Sequence, residues 1–145
     1  MTDPKFWMAI PADIQLVRLP AAALQGILRE LDCDEGQAAM IELCLVEAVN
    51  NAIEHAYAQD VGGTIELQLD IANDTLEIVV ADSGRAMPAG SLDRARAELA
   101  EPSGDSREGG YGLGIIVSVM SEVGYRTEGN INALTMAVTL TRRAE

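Results

Sequence analysis

Residues 65–71 alternate strictly: Ile65, Leu67, Leu69 and Ile71 are apolar, while Glu66, Gln68 and Asp70 between them are polar. Successive side chains of a strand point to opposite faces, so this segment belongs in a sheet with one face buried and the other wet. "AND" at 72–74 turns the chain, and "TLEIVVA" opens a second strand that pairs back antiparallel. Two more alternating segments follow near 124–130 and 133–141, and "KFWMAI" at 5–10 reads as a short edge strand. A sheet that is apolar on one side needs a cover, and helices are the usual solution.

The rest of the chain supplies them. Ile14, Val17, Ala21, Leu24, Leu28 and Leu31 keep a helical rhythm over 13–31. That rhythm runs through Pro20, which predicts a kink or restart because proline lacks an N–H and crowds the preceding turn. Asp34 reads as an N-cap with Gln37 as its reciprocal partner, opening a helix over about 35–57. Residues 91–100 are expected to be helical, 101–110 ("EPSGDSREGG") mobile, and "GLGIIVSVMSEV" a helix opened by glycines. The expected architecture is α+β: a two-layer sandwich of a mostly antiparallel, mixed sheet with helices on one face. At 145 residues this is one domain, 1–145, able to bury roughly 70% of its unfolded surface without staples.

Composition excludes several classes of function. A net charge of −13 from only ten basic residues disfavours nucleic acid, whose binding is dominated by Lys and Arg on phosphates, and leaves a protein partner as the better expectation. No apolar run approaches the roughly 20 residues of a membrane span. "MTDPKFWMAIPAD" has no basic region followed by a long apolar one, so no export signal is visible and the cytoplasm is expected. Cys33 and Cys44 form no CxxC and the single His55 cannot complete a zinc set, so both cysteines read as small core residues.

Within the long helix, "LVEAVNNAIEHAY" sets Glu47, Asn51 and His55 at four-residue steps along one edge, with Glu54 beside them. Ile41, Leu45, Ala48, Val49, Ala52 and Ala56 occupy the opposite side, as in a helix packed into a core. A polar face is ordinarily only solvated. Asn51 is the exception, because asparagine prefers caps and turns to mid-helix positions. A neutral oxygen ligand for Mg²⁺, which takes few protein oxygens, is one reason to place it there. Two glycine turns join the ladder: "DSG" at the end of a strand and "GGYGLG" at the start of a helix. Glycine lets a ligand approach peptide N–H groups and a helix N-terminus favours anions, so Gly110, Gly112 and Gly114 can hold phosphate without many lysines. The pattern is neither a Walker loop nor a dinucleotide fingerprint.

Taken in order, "EAVNNAIEH", "DSGRAMP" and "GGYGLG" resemble the N, G1 and G2 boxes of the GHKL (histidine-kinase-like) ATPases, and "VEAVNNAIEHAY" is most similar to the bacterial anti-sigma-factor serine/threonine kinases. The resemblance spans about residues 8–142 and implies a Bergerat-type ATP-binding fold, ATP and Mg²⁺ as cofactors, and an ATP lid over about 86–111. It implies Glu47 as general base and Asn51 as the Mg²⁺ ligand, with His55 in the same box. Asp82 matches the acceptor of the adenine amino group, Gly84 lets the nucleotide lie close, and Met87 belongs to the same box. Gly110, Tyr111, Gly112, Leu113 and Gly114 match the loop around the phosphates, and Arg107 resembles a lid residue near the terminal phosphate. Thr135 matches the threonine that supports the adenine site, with Thr139 as a competitor. One departure from the family pattern is Ala86 in place of the second G1 glycine, which predicts an altered lid hinge with ATP binding kept.

Histidine kinases of this fold phosphorylate a histidine on an accompanying helical segment, and here the only histidine lies inside the N box. The resemblance therefore implies action in trans. Two accounts stay open. One is a kinase that phosphorylates a STAS-domain anti-sigma-factor antagonist and sequesters a sigma factor. The other is a nucleotide-gated binding module without phosphoryl transfer, which has no need of Glu47. The family suggests a homodimer, for which Leu16, Leu19 and Ala23 offer a second apolar edge on the first helix.

Overall fold

A computed structural model describes residues 3–57, 62–101 and 111–144. Its sheet has five strands: β1 (Lys5–Pro11), β2 (Thr64–Ala72), β3 (Thr75–Asp82), β4 (Glu122–Glu128) and β5 (Ile131–Thr139), in spatial order β1-β2-β3-β5-β4. Every neighbouring pair is antiparallel, so the sheet is not mixed as expected. The β2–β3 turn is Asn73-Asp74 with both residues at positive φ (50° and 64°), the two-residue geometry whose twist matches that of the strands.

The first apolar rhythm resolves into a 3-10 turn, Ile14–Leu16, and α1 (Arg18–Glu30). Asp13 caps the turn by accepting from the Gln15 N–H. Pro20 causes no kink, because it falls in the first turn of α1, where helix N–H groups have no intrahelical partner to lose. α1 ends with Asp32 at φ 55° while the Cys33 N–H reaches back to the Leu28 carbonyl, a Schellman closure built without glycine. α2 (Glu35–Asn51) starts on Asp34, whose carboxylate accepts from the Gln37 N–H at 2.9 Å. The Gln37 side chain does not return that bond. It donates to the Thr139 carbonyl and accepts from the Thr141 N–H, tying the helix start to the C-terminal strand.

α2 runs into a π turn over Ala52–Ala56, a rare element concentrated at functional sites. α3 (Ser91–Ala100) lies where expected, and α4 (Tyr111–Val119) is shorter than the sequence reading because Glu122 and Val123 join β4. Ile65, Leu67, Leu69, Leu76, Ile78, Val80, Leu134 and Met136 meet Leu24, Leu28, Ile41, Leu45, Val49 and Ile116 in one buried core. Cys33 and Cys44 are buried in it, and burial, followed by the nearby Glu47, pushes the Cys44 thiol up to about 11. Leu19 and Ala23 are exposed, whereas Leu16 packs against the core and leaves the proposed outer edge. No helix among the described residues is long and apolar enough to cross a membrane.

Candidate functional site

The end of α2, its π turn, the segment after β3 and the start of α4 converge beside β5. Asn51, His55 and Asp82 line one cleft together with Ala48, Ala52, Val80, Leu134, Arg85, Met87 and Tyr125. The walls are mostly apolar and a carboxylate reaches into them. The cavity volume is about 30 Å³, which admits a water or two and no purine, so side chains around it must part to admit a larger ligand. An open groove of about 400 Å³ adjoins it and shares Asp82, but contains none of the polar ladder.

Glu47 and Asn51 face the first turn of α4. A Cβ built on Gly112 would fall 2.7 Å from Glu47 Oε2 and 3.5 Å from Asn51 Nδ2, so any larger residue here would make the Glu47 carboxylate shift. Neither side chain is hydrogen-bonded to another described residue, and both are partly buried. Leu113 turns into the core instead of toward the cleft. Tyr111 opens α4 and Gly114 follows within its first turn, while Arg107 and Gly110 lie outside the described residues.

Asp82 is held firmly. Its Oδ1 accepts from the Gly84 N–H at 3.0 Å and from Asn132 Nδ2 at 2.8 Å. Asn132 also donates to the Gly84 carbonyl and accepts from the Thr127 hydroxyl. Two of the three tyrosines brace the ends of the segment that follows. Tyr57 OH accepts from the Ser83 N–H and donates to the Thr64 carbonyl, and Tyr125 OH accepts from the Met87 N–H. Ala86 is not among the positive-φ residues, so its methyl meets no backbone strain there.

Thr135 and Thr139 are placed on the wrong face. Along β5, Asn132, Leu134, Met136 and Val138 face the helices, so the odd-numbered Thr135 and Thr139 point to the other side of the sheet. The inward polar residue is Asn132, which the sequence reading missed. Its signal was legible: an asparagine in phase with Leu134, Met136 and Val138 on the apolar face of a strand.

Gly84 has a structural reason beyond any ligand. A Cβ there would lie 2.3 Å from the Ala56 carbonyl oxygen, which already accepts from the Arg85 N–H at 2.7 Å. Gly84→Ala is expected to destabilise the fold by about 1–3 kcal/mol, measured by urea unfolding, because backbone on both sides must move. Gly114 differs, with nothing within 4 Å of its Cβ position. Gly114→Ala should leave the melting temperature unchanged or higher, so any loss of nucleotide affinity in it reports the ligand and not packing.

A model of the histidine kinase-like ATPase domain matches residues 10–138. The chain belongs to this family. As a histidine kinase-like ATPase domain it is 30% identical over 129 residues to the serine-protein kinase RsbW of Halalkalibacterium halodurans, covering 86% of this chain and 76% of that protein. It is 28% identical over 137 residues to RsbW of Bacillus subtilis, covering 91% and 82%. The fold matches the RsbU and RsbW domains of Rv1364c from Mycobacterium tuberculosis with a TM-score of 0.68 at 24% identity, over 98% of this chain and 35% of that one. It matches a chain of the SiaB-SiaC complex from Pseudomonas aeruginosa with a TM-score of 0.66 at 15% identity, over 92% and 88%.

Membership of the ATPase family implies ATP binding, and the cleft's chemistry fits a purine: apolar walls for the ring and a carboxylate for its amino group. Among the described residues no group of three or more His, Cys, Asp or Glu side chains could hold a metal alone. A hard cation held beside a phosphate would have to draw most of its ligands from water and phosphate oxygens.

Proposed function

We propose that this chain is a Mg-ATP-dependent protein serine/threonine kinase that acts in trans on a STAS-domain anti-sigma-factor antagonist and sequesters a sigma factor. The observation that carries this reading is the approach of Glu47 and Asn51 to the first turn of α4, where a Cβ on residue 112 would meet the Glu47 carboxylate at 2.7 Å. Mg-ATP supplies a transferable phosphoryl group whose charge the metal partly offsets. The residues of the chain do the rest. Asp82 accepts from the base, and Asn51 offers a neutral oxygen to the metal. The first-turn N–H groups of α4 favour phosphate, with Gly110, Gly112, Gly114 and Arg107 around it. Glu47, a partly buried carboxylate with no bound partner among the described residues, accepts the proton of an incoming hydroxyl.

The RsbW relatives are serine-protein kinases by name, which supports a hydroxyl acceptor. His55 lines the cleft itself, which disfavours it as an acceptor carried on a separate helix. A homodimer through exposed Leu19 and Ala23, and a cytoplasmic setting, accompany this reading. The competing account is a nucleotide-gated binder, which has no use for a carboxylate at Glu47.

The test mixes the full chain with a STAS-domain partner and γ-labelled ATP and follows label on partner serine or threonine. Mg²⁺-dependent label is expected. A partner that binds the chain tightly and stays unlabelled would favour the binder.

A further inference from the structure

We propose that Asn132 is a positioning residue that fixes which oxygen of Asp82 meets the purine amino group, and thereby sets the base specificity of the site. The proposal rests on the ATP reading above. Asn132 is 2% exposed and is the buried polar residue of the described core. It stands on β5 directly opposite Asp82, on the helix-facing side of the sheet. Burying an amide costs free energy unless its donors and acceptor are satisfied, and an apolar side chain would fill this strand position as Leu134 and Met136 do nearby.

The amide is satisfied completely. Nδ2 donates to Asp82 Oδ1 at 2.8 Å and to the Gly84 carbonyl at 2.9 Å, while Oδ1 accepts from the Thr127 hydroxyl at 2.9 Å. A flipped amide would set its oxygen against a carboxylate and a carbonyl, so Asp82 and Gly84 together dictate its orientation, and the Thr127 hydroxyl donates to the oxygen that remains. With the Gly84 N–H also on Asp82 Oδ1, that oxygen holds two donors, and Oδ2 is left without a hydrogen bond to any described residue. The carboxylate therefore cannot rotate freely about its last bond. Asp82 lines the cleft, and Oδ2 is the oxygen left to act there as a pure acceptor, which suits an exocyclic amine and opposes a carbonyl at the same place. Thr127 acts through Asn132, and Asn132 through Asp82.

The probes are ATP and purine riboside triphosphate, which differ only by the 6-amino group, and the readout is the ratio of their dissociation constants. The unaltered chain should prefer ATP by roughly 10- to 100-fold, the equivalent of one hydrogen bond to a charged group. In Asn132→Ala the preference should fall below about 3-fold, because an unanchored carboxylate no longer presents one oxygen. Thr127→Val, which keeps the side chain's shape but removes the bond to Asn132 Oδ1, should give an intermediate ratio at a modestly lowered melting temperature. Weaker binding of both nucleotides with the full ratio retained in a folded Asn132→Ala protein would mean a packing role only. If that variant fails to fold, a full ratio in Thr127→Val overturns the proposal. No preference in the unaltered chain would instead remove the assignment of Asp82 to the base.

Discussion

Glu47→Gln is expected to bind Mg-ATP and the protein partner as the unaltered chain does, and to transfer phosphate roughly 10² to 10⁴ more slowly. Glutamine preserves the length of the side chain and its helix propensity, so the contact with Gly112 at the start of α4 survives. What disappears is the ability to take a proton. Single-turnover transfer to a STAS-domain partner measures the loss, and calorimetry with each ligand measures what is retained. Equal rates in the two proteins would exclude Glu47 as the base. A loss of ATP binding parallel to the loss of rate would assign the carboxylate to ligand binding instead.

Asp82→Asn should abolish most of the thermal stabilisation by ATP while leaving the unliganded fold intact. The two N–H donors on Asp82 Oδ1 decide the outcome. They require an oxygen, so the amide must place its own oxygen there and turn its NH₂ into the cleft. A donor then faces the amino group of adenine, and one favourable contact becomes a repulsive one. A ligand at a hundredfold excess over its Kd stabilises the folded state by about 2.7 kcal/mol. That corresponds to a rise in Tm of roughly 8 °C for a domain of this size. The variant should show little of it, by differential scanning fluorimetry with and without Mg-ATP. Equal shifts in both proteins would show that Asp82 does not meet the base.

Local patterning determined a good deal on its own. The alternation at 65–71 gave β2 its buried face, and Asn73-Asp74 its turn, because period and turn chemistry are properties of neighbours in the chain. The polar ladder on α2 and its π turn marked Glu47, Asn51 and His55, since helical spacing predicts them on one edge, and the order of three short motifs pointed to the ATPase family that the domain model bears out.

Tertiary structure decided what no periodicity contains. Whether every strand pair is antiparallel depends on how the chain crosses between strands, and the expected mixed sheet proved uniform. Pro20 proved harmless only because the helix begins two residues before it, a boundary set by the 3-10 turn and by packing. Gln37 matched a capping pattern three residues from Asp34, yet the nearby Thr139 carbonyl and Thr141 N–H, 102 and 104 positions away, claimed both ends of its amide. Thr135 was chosen by motif matching, but register is counted in single residues, and one step along a strand reverses the face. That same count put Asn132 opposite Asp82, 50 positions away in the chain. A carboxylate and an amide so far apart reveal nothing of each other in sequence, and only the pairing of β3 with β5 brings their side chains to hydrogen-bonding distance.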